Sequence, residues 1–119
     1  MKYFGLILFI TLAINLTCHA GTFVEGVPVS VQKSDYGQSI HLIFVQMQTP
    51  VNSGAQCDSQ AGVVIHDSNE SSKEALSFAL TALASGSKFR CYVNVGDCSA
   101  VTGASTTYPV CDYYPALVK

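Results

Sequence analysis

The chain has 119 residues, 49% of them hydrophobic and only 12% charged, with a formal net charge of −2. Half-apolar composition excludes a disordered chain, and this length suits one domain. Six basic residues without a cluster argue against nucleic acid as a partner.

The first 20 residues read as a secretory signal peptide. Met1 and Lys2 make a short positive start, residues 4–16 are nearly continuous hydrocarbon, and Cys18-His19-Ala20 places small residues where a signal peptidase reads, with cleavage expected after Ala20. A membrane anchor would need about 18 or more apolar residues, more than this run supplies. A lipoprotein reading at Cys18 is disfavoured by Asn15, where an aliphatic residue is expected. The expected mature chain, residues 21–119, is one secreted domain that keeps all eight acids and five of the six bases.

It also keeps Cys57, Cys91, Cys98 and Cys111, an even set that export to an oxidising compartment would pair. A zinc site is the competing reading, but no Cys-x-x-Cys pair exists, so neither a metal nor any other cofactor is expected. Two bridges would support a core that is modest at this size.

In chain order, residues 23–32 read as a strand, with Val27, Val29 and Val31 in period-2 alternation and Pro28 at an edge or bulge. Residues 34–37 form a turn by composition. Residues 40–48 are apolar on both faces, the mark of a central or doubly covered strand. A loop over 49–56 leads to Cys57, and residues 61–66 make a third strand. The period then changes. Ser71 and Glu74 have capping-box spacing, and Leu76, Leu80 and Leu83 follow at helical intervals with Ala75, Phe78, Ala79 and Ala82 beside them. This predicts a helix over 72–85, stopped by Gly86, with the broad apolar face buried.

Residues 89–95 form a fourth strand, with Phe89, Cys91, Val93 and Val95 on one side and Arg90, Tyr92 and Asn94 on the other. Residues 96–107 are a small-residue loop, and 108–118 a fifth strand or strand pair interrupted by Pro109 and Pro115. A mostly β chain with one helix, in the order β-β-β-α-β-β, is the layout of a small OB-fold-like barrel, disulfide-stapled here. Four cysteines allow three pairings; strand placement favours Cys57–Cys98 and Cys91–Cys111.

Chemistry-bearing residues are sparse. His41 and His66, the latter beside Asp67, are the histidines of the mature chain, and its carboxylates are scattered singly. No glycine-rich phosphate loop precedes the helix. Asn69-Glu70-Ser71 is a glycosylation sequon. The reading is a non-enzymatic chain that acts by surface recognition, for which Tyr36, Tyr92, Tyr108, Tyr113 and Tyr114 supply amphipathic rings; covering the ends of a barrel is the plainer role for some of them.

Two stretches carry a resemblance. Glu25-Gly26-Val27-Pro28-Val29, through Tyr36-Gly37-Gln38-Ser39-Ile40 and on to Phe44, resembles the first hairpin of the B subunits of subtilase-type and pertussis-like AB5 toxins. The helix ending Ala84-Ser85-Gly86-Ser87-Lys88-Phe89-Arg90, and the later Thr107-Tyr108-Pro109-Val110, are similar to segments of the same subunits. The resemblance implies a secreted OB-fold subunit that forms a homopentamer with an enzymatic A subunit and binds cell-surface glycans, often sialylated. Three positions depart from that pattern. Glu25 stands where those subunits carry a pocket serine, Val93 where they carry a tyrosine (Tyr92 is one step earlier), and Val45 where they carry a cysteine. Glu25, Tyr36 and Tyr92 are the candidate glycan-binding residues. The alternatives are a monomeric secreted or periplasmic inhibitor-like protein that binds another protein, and a small secreted hydrolase built on a carboxylate or His66–Asp67 cleft.

Overall fold

The computed structural model describes residues 21–34, 41–101 and 105–119. The signal segment with its cleavage point, the turn after Ser34, and Tyr36 lie outside the described residues. The chain is mostly β with one helix. Its elements are β1 (Thr22–Gly26), β2 (Pro28–Ser34), β3 (Leu42–Met47), β4 (Gly62–His66), α1 (Ser72–Ser85), β5 (Lys88–Val93), β6 (Cys98–Ala100), β7 (Thr107–Pro109) and β8 (Tyr113–Val118).

They form three sheets, ordered β1-β5-β8, β2-β3-β4 and β6-β7, with every ladder antiparallel. The single first strand expected from the valine alternation is two strands. The chain leaves one sheet at Val27 and enters the other at Pro28, which has no amide hydrogen to continue a ladder. A register shift between Pro28 and Ser30 then changes the phase, so Val29 is exposed and Pro28 is buried, against the expected burial of Val29. No continuous ladder closes the sheets on one another among the described residues. They meet instead at Val27 and at one parallel bridge, Val64 with Val110, where the Cys111 amide donates to the Val64 carbonyl at 2.8 Å.

Strand β3 is central in its sheet, as its two apolar faces require, and Leu42, Ile43, Val45 and Met47 are all buried. Phe89, Cys91 and Val93 of β5 face the same core and are fully buried. The expected loop over 96–107 contains β6, and the expected last strand divides into β7 and β8 around Cys111 and Asp112.

Helix α1 has the expected bounds, and Gly86 ends it in a left-handed conformation (φ 72°) with its amide on the Ala82 carbonyl. Two details differ from expectation. Ser71 makes no side-chain cap; the Asn69 side chain instead accepts the Ser71 amide at 2.9 Å. The buried face is Ala75, Ala79 and Ala82, while Leu80 and Leu83 are exposed. Small side chains let the helix backbone approach the strands, whose own bulky residues fill the core, so the leucine ridge is turned outward.

The two disulfides are Cys57–Cys98 and Cys91–Cys111, with Cα separations of 5.6 and 5.5 Å. The first pins the segment before β4 to β6. The second joins β5 to the residue before Asp112 from within the core, where Cys91 and Cys111 are both buried. No helix of the described residues is long and apolar enough to cross a membrane.

Candidate functional site

The outer face of the β1-β5-β8 sheet carries the most distinctive surface. Period-2 alternation sends Val24, Phe89, Cys91 and Val93 inward, leaving Phe23 and Glu25 of β1 and Lys88, Arg90 and Tyr92 of β5 on the outer side. Registry then aligns them: Phe23 lies opposite Tyr92, Glu25 opposite Arg90, and Tyr92 opposite Tyr113 of β8.

Strand β8 adds a second ring by breaking its own alternation. Arg90 pairs with Ala116 and Tyr92 with Tyr113, so the single residue Cys91 is matched by two, Tyr114 and Pro115. This is a β-bulge, and Pro115, which cannot donate to a ladder, occupies it. Tyr114 adopts φ 55°, the left-handed region that side-chain-bearing residues avoid. Both tyrosines consequently stand in solvent, 54% and 68% exposed.

Phe23, Tyr92, Tyr113 and Tyr114 form one contiguous aromatic platform. Tyr92 is its centre, with centroids 5.3 Å from Phe23, 6.2 Å from Tyr114 and 6.3 Å from Tyr113; Tyr113 and Tyr114 are 5.9 Å apart. Its ring lies where a side chain on Gly21 would be, since a Cβ there would meet the ring at 2.9 Å and collide with the Val93 carbonyl. The Arg90 guanidinium sits 5.1 Å from the centre of the Phe23 ring, a cation–π contact, and its Nε is buried without a partner. Lys88 pairs with Glu25 at 3.6 Å.

A groove of about 450 Å³ adjoins the platform, lined by Asn69, Glu70, Ser71, Asp112, Tyr113 and Tyr114. Asp112 organises its floor. Its amide donates to the Tyr92 carbonyl at 2.9 Å, and its carboxylate accepts the Asn94 amide at 3.1 Å. Its own carbonyl receives the Asn69 side-chain amide at 3.0 Å. Burial, with Asp97 hydrogen-bonded alongside, pushes the Asp112 carboxyl up to about 6.

Of the three candidates, Glu25 and Tyr92 share this outer face, whereas Tyr36 lies outside the described residues. The carboxylate of Asp67 pairs with Lys33 at 3.7 Å rather than with His66. Tyr108 serves a different purpose, covering Phe44 at 4.6 Å. The sequence reading named Tyr113 and Tyr114 among the recognition rings but not among the three candidates, and it gave no binding role to Phe23 or Arg90. The visible signal was the tyrosine pair followed by Pro115, a bulge signature, together with aromatic residues at matching phases of β1 and β5.

No protein-family model matches this sequence, and comparison with curated proteins and with solved structures yields no match.

Proposed function

We propose that this is a secreted, non-enzymatic binding protein whose β1-β5-β8 face recognises cell-surface glycans. The observation that carries this reading is the exposed platform of Phe23, Tyr92, Tyr113 and Tyr114 on a disulfide-braced sheet. Aromatic faces stack on the C–H faces of sugars, and phenol hydroxyls with the Arg90 N–H groups supply hydrogen bonds to sugar hydroxyls. The strained Tyr114 supports the reading, because residues in costly backbone conformations concentrate at binding sites.

Architecture supports the toxin-B-subunit layout as the parent fold. A chain that passes from β1 in one sheet to β2 in another, a helix between β4 and β5, and a parallel bridge from β4 to Val110 between β7 and β8 fit a partly open OB barrel. Two buried or half-buried disulfides suit an extracellular compartment. A homopentamer would multiply weak single-site binding into useful avidity, and would leave a face for an enzymatic A subunit.

The test is glycan-array screening of the oxidised protein, with hits measured by calorimetry on wild type and on Tyr113→Ala. The expected result is saccharide binding that falls about five- to thirtyfold in the variant, in line with about 1–2 kcal/mol for one stacked ring. No retained saccharide on a folded, oxidised protein would overturn the reading and leave the aromatic face as a protein interface, the inhibitor-like alternative. Light scattering then decides whether the protein is a ring of five.

A further inference from the structure

The groove beside the platform joins two segments that are far apart in sequence. One is Asn69, Glu70 and Ser71, the turn into α1; the other is Asp112, Tyr113 and Tyr114, the entry to β8. The Asn69 side chain ties them together, donating to the Cys111 and Asp112 carbonyls at 3.3 and 3.0 Å. The lining thus combines two carboxylic acids with two phenol rings. Those rings, with centroids 5.9 Å apart and planes tilted 50° to one another, form an aromatic corner.

No base among the described residues answers those acids. The groove lining contains no lysine, arginine or histidine. The ion pairs of the described residues are Lys33–Asp67 and Lys88–Glu25, and neither involves Glu70 or Asp112. Lys73, close to Glu70 in sequence, lines a separate cavity with Lys33 and Asp67. Arg90 stands over the Phe23 ring instead. The partner of the Asp112 carboxylate is the neutral Asn94 amide. Uncompensated carboxylates beside aromatic faces attract an organic cation, because the ring quadrupole and the full negative charges act in the same direction. The same charges repel an anion.

We propose that this groove receives an ammonium group, so that the saccharide stacked on the platform carries an unacylated or quaternised amine. At about 450 Å³ the groove has room for such a substituent together with part of its sugar ring. The identity of the ligand as a saccharide rests on the glycan-binding reading. The ammonium site does not, and it is tested first without sugar. The two acids also disfavour the sialylated ligands that the toxin resemblance implies.

The experiment is an NMR titration of the oxidised protein with choline and with 3,3-dimethylbutan-1-ol, which has the shape of choline without its charge. It is run at pH 7.5, where Asp112 is ionised, and at constant ionic strength. Choline should shift the ring resonances of Tyr113 and Tyr114 and bind at least about tenfold more tightly than the alcohol. Glu70→Gln and Asp112→Asn should each weaken choline binding at least about threefold and leave the alcohol unaffected. Glu70 is exposed, so its variant serves if Asp112→Asn does not fold. Equal response to the two probes, no shift of these rings with choline up to about 100 mM, or choline affinity unchanged in a folded variant of either acid overturns the inference. On a glycan array, sugars with a free or quaternised amine should then be retained at least about fivefold better than their N-acetylated counterparts; the reverse order overturns the assignment of the ammonium group to the saccharide. Choline binding with no retained saccharide overturns the glycan reading alone, and saccharide binding without choline binding overturns the ammonium site alone.

Discussion

The side-chain amide of Asn69 donates to the main-chain oxygen of Asp112 at 3.0 Å, across 43 residues of chain. The same nitrogen reaches the Cys111 carbonyl at 3.3 Å, while the side-chain oxygen accepts the Ser71 amide. One residue thereby starts the turn into α1 and fixes the junction from which the two platform tyrosines emerge.

The asparagine of the sequon is consequently structural. Asn69→Asp keeps the acceptor for Ser71 but removes both donations, leaving two carbonyls short of a partner. Denaturant unfolding should show a loss of about 1–3 kcal/mol; a loss below about 0.5 kcal/mol would count against the role. Because the nitrogen a glycan would occupy is engaged, the folded protein from a glycosylating host should carry no glycan at Asn69, as read by intact mass.

Tyr114 separates stability from binding. Its left-handed backbone costs about 1–2 kcal/mol in any residue with a Cβ and little in glycine. Tyr114→Gly should relieve that cost while losing ring contacts with Phe23, Tyr92 and Tyr113, leaving unfolding stability within about 1 kcal/mol of wild type. Saccharide affinity should nevertheless fall. A large loss of stability would show that the ring serves the fold rather than the surface.

The partly buried carboxyl of Asp112 also makes stability depend on pH. Asp112 titrates near 6 in the folded chain against 3.8 as the reference, so folding favours its protonated form. That contribution is complete below pH 4 and is lost as pH rises through 6. Discounted for the solvent that reaches this carboxyl, the change is about 1 kcal/mol. Urea unfolding at pH 5 and pH 7.5 should show it in wild type and not in Asp112→Asn, which keeps an acceptor for the Asn94 amide.

The disulfides set chain entropy against packing. Cys57–Cys98 spans 41 residues and Cys91–Cys111 spans 20, and the longer closure is worth about 0.6 kcal/mol more. Cys91 and Cys111 are buried in the core, however, and Cys57 and Cys98 are half-exposed. The packing lost with the buried pair outweighs that margin. Cys91→Ala with Cys111→Ala should therefore be the more harmful double substitution, at about 3–5 kcal/mol against about 2–4 for the other pair. Unfolding curves compare them, and non-reducing peptide mapping checks the connectivity; a Cys57–Cys111 peptide would refute it.

What the amino-acid order determines by itself is whatever depends on neighbours within a turn or two. Residues 72–85 are helical because apolar spacing, a polar start and Gly86 agree over a short stretch, and β3 reads as central because both its faces are apolar. The same element order brings Cys91 near Cys111, although Cys111 lies between β7 and β8 and not on a strand. The tertiary structure alone decided which side of the helix is buried, since alanines and leucines share a broad apolar face and only the closeness of the strands selects the alanines. It also decided the sheet change at Val27 and the phase slip at Val29, which depend on which partner each half of the strand finds. The aromatic platform belongs to the same class. Phe23, Tyr92, Tyr113 and Tyr114 lie up to 91 residues apart in sequence and become one surface only through strand registry and a bulge. The reason is general: side-chain periodicity is local, while the pairing of strands is not.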